Sequence, residues 1–187
     1  MIKALFICLI GTSFLFADFS KNNIAISLKE IGKINKIDSR LLYSIAKVES
    51  NFEPLIIAFV SNKKDFKFKN AKTTVLPYKK KHLIQIRANE ETLKAIAMEL
   101  INKGYKIDVG LMQINSINFT KEELPFIFKP KYNIHKSAQV LKNCNEKFED
   151  LRGTLECYNK GFTKKFSYDY YSKVKESFVT SFLREAI

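Results

Sequence analysis

Two histidines, three cysteines, four prolines, six glycines and four arginines are all that the 187 residues carry of those types. With so little Gly and Pro, and 46% apolar residues, the chain is neither disordered nor low-complexity, and it is long enough to bury a core. His82 and His135 stand far apart, and no His, Cys, Asp or Glu cluster has ligand spacing, so neither a metal site nor a cofactor is expected. The shortage of arginine qualifies a formal charge of +13, because 28 of the 32 basic residues are lysine. Nucleic-acid readers need Arg forks or aromatic platforms within a basic face, and none stands out, so no nucleic-acid partner is expected. A charge of this size still favours polyanions. If the protein is exported, these are wall polymers or acidic lipids.

Long apolar runs are also missing, with one exception. Lys3 precedes the apolar stretch from Ala4 to Phe16, and Ala17 stands before Asp18, which is the architecture of a secretory signal. The stretch is short for a membrane span and leads into the polar "DFSKNN", so cleavage after Ala17 is expected, leaving a domain over 18–187 that is peripheral to a membrane at most. Loss of Lys3 leaves a charge of +12. Cys8 departs with the signal. Cys144 and Cys157 remain, an even pair in an oxidising compartment, and are expected to form a disulfide; the alternative is two free thiols in helices that never meet.

The rest of the chain reads as mainly helical. Helices are expected over "NIAISLKEIGKI", over "LLYSIAKVESNF" after a cap at Asp38 or Ser39, and over "NEETLKAIAMELINKG" from Asn89 to Gly104. Further helices are expected from near Asn133, over "LRGTLECYNKGF" to Gly161, and in the tail, where Val174, Phe178 and Phe182 share a stripe. His82 to Ala88 alternates as a short strand, the lysine-rich segment around Pro77 reads as an exposed loop, and Pro125 to Pro130 mark another. No internal repeat or long linker divides the chain, so one domain is expected.

Within "LLYSIAKVESNFEP", Leu41, Leu42, Ile45, Val48 and Phe52 build an apolar stripe, and Glu49 lies on it near the helix end. Desolvation and the negative end of the helix dipole both disfavour its charge, so a carboxyl held there becomes a proton donor near neutral pH. Glycosidic cleavage needs such a donor, because the leaving oxygen must be protonated as the bond breaks. Spacing alone leaves the alternative of a Glu turned to solvent from a frayed last turn.

In order along the chain, "IAKVESNFEP", "DVGLMQIN" and "CYNKGF" resemble the three hallmark motifs of lytic transglycosylases, lysozyme-like enzymes that cleave peptidoglycan. The resemblance runs from about Ser39 to Val174 and implies a periplasmic enzyme with a mainly α, lysozyme-like α+β fold. A small β element is then expected in an insertion between the Glu49 helix and the Gly-Leu-Met-Gln run. The length of that insertion resembles the branch that serves type IV secretion and conjugation machines, whose components become expected partners beside the peptidoglycan glycan strands.

The same resemblance makes Glu49 the single catalytic acid and Ser50 its hydrogen-bonding neighbour. It implies that Gly110 lets the backbone approach the sugar chain, that Met112 is an apolar contact, and that Gln113 and Asn115 read the glycan. Tyr158 and Asn159 would close the site opposite the acid, the Tyr158 hydroxyl orienting it, with Gly161 allowing the turn after them and Tyr171 as a later aromatic of the wall. Cys157 stands where the family more often has a small residue; bridged to Cys144, it would clamp the motif's helix to its neighbour.

With one carboxyl, the implied reaction has Glu49 protonate the leaving oxygen and then take a proton from the muramic acid's own C6 hydroxyl, forming a 1,6-anhydro end without water. Asp108 is the carboxylate nearest the motif, and it reads first as a loop or capping residue. A hydrolytic muramidase using Asp108 to place water, and a non-catalytic peptidoglycan-binding scaffold, are the alternatives.

Overall fold

The computed structural model describes residues 19–163 and 169–183. The apolar N-terminal run, Cys8 and the expected cleavage point after Ala17 lie outside them. Helix α1 (Lys21–Asn35) starts on Ser20, whose hydroxyl accepts from the Asn23 N–H at 3.2 Å, and turns Ile24, Leu28 and Ile31 inward. Helix α2 (Ser39–Ser50) is capped by Asp38, whose carboxylate accepts from the Arg40 N–H at 2.8 Å. It stops two residues short of Phe52, because Asn51 and Phe52 take left-handed φ values of 53° and 65°.

The insertion holds more β structure than the sequence suggests. The expected strand is β3 (Lys81–Arg87), and it is flanked by β1 (Ile56–Ser61) and β2 (Lys72–Tyr78). The segment around Pro77 is therefore a strand and not a loop. It pairs only with β3, and an edge position tolerates both a proline and a run of lysines. With β4 (Asp108–Val109) and β5 (Ile114–Asn115) the strands form one antiparallel sheet in the order β2-β3-β1-β4-β5. One sheet face carries Ile57, Phe59, Ile84, Ile86, Val109 and Ile114 into the core. Helix α3 (Glu90–Asn102) adds Leu93, Ile96, Ala97 and Leu100, after a start on Asn89, which accepts from the Thr92 N–H at 2.9 Å.

Helix α4 (Leu124–Ile127) occupies part of the stretch read as a proline-marked loop, with Pro125 in its first turn, where no N–H is needed. Pro130 likewise opens α5 (Pro130–Phe148) three residues before the expected start. Helix α6 (Leu151–Lys160) is capped by Asp150, and α7 (Tyr170–Phe182) by Asp169, each accepting from an N–H three residues on. Helix α6 packs on α5 and α7 on α2. The result is a mainly helical fold with a small antiparallel sheet, as the sequence suggests. Among the described residues no helix is long and apolar enough to cross a membrane.

Cys144 on α5 and Cys157 on α6 are bridged, with Cα atoms 5.7 Å apart and a separation of 13 positions in sequence. Closing a loop of that size stabilises by about 3 kcal/mol, so reduction is expected to lower the melting temperature by about 6–12 °C. Thermal unfolding with and without reductant checks this; two titratable thiols in the unreduced chain from Asp18 onward, with an unchanged midpoint, would overturn it.

Candidate active site

Glu49 sits in the last turn of α2, partly exposed at a cleft of about 540 Å³. One wall is the sheet, through Ala58, Leu83, Gln85, Asp108 and Asn115; the other is α5 and α6, through Val140, Asn143, Tyr158 and Asn159. The disulfide lies in that helical wall. Removal from water pushes the Glu49 carboxyl up to about 7; a hydrogen bond from the Tyr170 hydroxyl to Oε1 pulls it back, and the charge of Asp108 adds to the rise. With Oε1 so engaged, Oε2 is the oxygen left to carry the proton.

Tyr170 is the first residue of α7, and only 2% of its surface is exposed. Burial, then the nearby Glu49 charge, holds its hydroxyl well above the ordinary phenol range, so it remains a donor at neutral pH. The Tyr158 ring stacks beside it, centroids 6.3 Å apart.

The Tyr158 hydroxyl does not reach the acid. It donates to the Met112 carbonyl at 2.7 Å and lies 3.1 Å from the Ser137 hydroxyl, so it holds the backbone of the Gly110–Gln113 turn, and Tyr170 takes the place expected for it. Tyr171 is half-buried; its N–H donates at 3.1 Å to Glu156, a carboxylate that is 2% exposed and lies 3.4 Å from the Lys160 ammonium. That bond anchors the start of α7, and with it Tyr170.

The Gly110–Gln113 turn is built around a side chain the sequence reading passed over. Asn133 is fully buried; its Oδ1 accepts from the Met112 N–H at 2.7 Å, while its Nδ2 donates to the carbonyls of Ile127 at 2.9 Å and Val109 at 3.1 Å. Gly110 has φ 76°, and a Cβ there would lie 2.6 Å from Asn133 Nδ2, so the glycine makes room for Asn133. Met112 is wholly buried, and its side chain belongs to the core. The Ser50 hydroxyl donates to the Leu111 carbonyl at 2.7 Å and accepts from the Glu53 N–H at 3.1 Å, tying the end of α2 to the turn.

Gln113, Asn115 and Asn159 do line the cleft. Gln113 takes φ 46°, with its amide donating to the Gly110 carbonyl at 2.8 Å, and Asn159 is exposed. Asn115 donates to Asp108 at 2.7 Å across the β4–β5 pair. Burial lifts the Asp108 carboxyl to about 6, against the pull of the Asn115 bond. Asp108 is thus a cleft residue on a strand and not a turn residue. Gly161 follows α6 with φ 73° and borders the same space.

Among the described residues no three His, Cys, Asp or Glu side chains converge as metal ligands. His82 stands in β3, and His135 on α5 is 3.1 Å from the Gln139 amide. Of the residues missed in the sequence, Tyr170 had a signal: it falls four residues before Val174, in phase with Phe178 and Phe182. Asn133, Ser137 and Glu156 had none, since polar residues within helices usually face water.

A family model described as the transglycosylase SLT domain matches residues 27–178, a span that holds Glu49, the Gly110–Gln113 turn, Tyr158 and Tyr170. No curated protein and no solved structure matches the chain.

Proposed function

The chain belongs to the transglycosylase SLT domain family, and from that premise we propose that it is a lytic transglycosylase cutting the β-1,4 bond between N-acetylmuramic acid and N-acetylglucosamine in peptidoglycan. The observation that carries this reading is a carboxyl lifted to about 7 in a cleft, held by a buried phenol. In the forward step the proton on Glu49 moves to the glycosidic oxygen as its bond to C1 of the muramic acid breaks. The C6 oxygen of the same sugar then bonds to C1, and its proton returns to the Glu49 carboxylate. No water is consumed. Tyr170 keeps Glu49 in place through both steps, and Gln113, Asn115 and Asn159 supply polar groups for the sugar edges.

The apolar run before Asp18 supports export to the periplasm, and the long insertion supports local wall opening for a secretion or conjugation machine.

Mass spectrometry of purified peptidoglycan digested by the chain from Asp18 onward tests the chemistry. Muropeptides one water lighter than hydrolytic products are expected. Ordinary reducing ends would instead favour the second reading, a hydrolytic muramidase, for which Asp108 in the same cleft is the group to activate water. Binding without any cleavage would favour a scaffold.

A further inference from the structure

We infer that the outer face of the insertion's sheet is a binding track for the glycan, carrying the strand away from the bond being cut toward the β2 edge. The inference rests on the proposed glycan substrate and deepens it.

The registers put one row of residues side by side across all five strands: Asn115 opposite Asp108, Asp108 opposite Ala58, Ala58 opposite Gln85, and Gln85 opposite Thr74. Directly opposed residues in antiparallel strands point to the same face, so the row that begins in the cleft with Asn115 and Asp108 continues onto the insertion. Ala58, Gln85, Asp108 and Asn115 line the cleft, which shows that this face is the one turned toward it. The opposite face is spent on the core.

Two positions along each strand, a second row on the same face is apolar: Val60 opposite Leu83, and Leu83 opposite Leu76. Val60 is 40% and Leu76 41% exposed, and with Leu83 between them they form a continuous apolar strip on the outer face. A polar row beside an apolar one suits a polysaccharide, whose rings offer hydroxyl and acetamido edges and apolar C–H faces. Ala58, small and central, keeps the track open. The Gln85 amide oxygen lies 3.4 Å from both terminal nitrogens of Arg87, which leaves its NH₂ group to donate to a ligand. From β4 to β2 is three strand spacings, about 14 Å, room for more than one sugar beyond the cut.

The residues nearer the acid should therefore matter to shorter ligands, and those farther out only to longer ones. Peptidoglycan glycan oligomers of graded length are the probe, titrated against folded protein carrying Glu49→Gln so that nothing is consumed, and digested in parallel by protein with Glu49 intact. Gln85→Ala is expected to weaken binding of long strands, and to raise their KM rather than lower kcat, by about 2- to 12-fold. The loss should shrink as oligomers shorten, and Gln85→Asn should recover part of it. Leu76→Ala should act only on the longest oligomers. Melting curves show whether each variant is folded; both positions are surface sites on the sheet. Equal losses at every length, or no loss from either variant, would overturn the track. Failure of the intact protein to cleave any oligomer, with length-dependent binding retained, would remove the proposed reaction and leave the track standing.

Discussion

Glu49→Gln is expected to lower peptidoglycan cleavage by about 10²- to 10⁴-fold while the protein stays folded. The amide fills the same space and still accepts from the Tyr170 hydroxyl, but it has no proton to give. In the parent, activity should be high where Glu49 is protonated and fall as pH rises through about 7. The same shift acts on stability in a defined direction. The ordinary value is 4.5 and the folded one about 7, so between them the folded chain holds a proton that the unfolded chain has released. Stability from this group therefore declines as pH rises through that window, and the penalty is complete above it. Glutamine carries no such penalty, so Glu49→Gln should be at least as stable as the parent at pH 8 or so, and gain nothing at pH 4 or so. Muropeptide chromatography and urea unfolding at the two pH values measure both halves; retention of full cleavage would end the single-acid mechanism.

Gly110→Ala is expected to destabilise by about 3 kcal/mol or more and to abolish activity along with it. Two costs add. A left-handed φ of 76° is worth about 1–2 kcal/mol against any residue with a Cβ. The new methyl would also stand 2.6 Å from Asn133 Nδ2 and 2.9 Å from its Cγ, and Asn133 cannot retreat without releasing the Met112, Val109 and Ile127 backbone groups. Gly104→Ala separates the two. It has the same hand, φ 80°, but nothing within 4 Å of the added carbon, so it should show the conformational cost alone. Denaturant midpoints for the two variants give the comparison, and equal losses would mean that the Asn133 contact contributes nothing.

Much of the helical frame was legible, because caps and stripes are local. Asn89 and Asp38 announce helix starts by chemistry that acts over three residues, and the stripe on α2 placed Glu49 on the inward side. The sheet was harder to see. Strand β1 is an apolar run with no alternation, since Ile56, Ile57, Ala58 and Phe59 are all buried, and β2 looks like loop because its pairing partner, not its own residues, makes it a strand. Within the site, the motifs located the right neighbourhoods, but the hydroxyl that holds the acid is Tyr170's and not Tyr158's. Gly110 and Met112 looked like sugar contacts, Ser50 like the acid's neighbour and Tyr158 like its guide, and all four are engaged in holding one turn. A motif records which residues stand together; it does not say whether they face the ligand or each other. The acid's true partner lay one residue from a named one, and a shift of one position on a helix turns a side chain by about 100°.

Glu49 and Tyr170 are 121 residues apart in sequence. A chain emerging from synthesis has its acid long before it has the phenol that holds it, and the anchor between Glu156 and Tyr171 forms only as α7 docks. The carboxyl and its guide therefore come together only when α7 docks on α2, and a chain whose α7 has come loose carries the carboxyl without its guide. Hydrogen exchange in α7, followed beside cleavage in mild denaturant, should show activity disappearing as that helix opens, ahead of global unfolding.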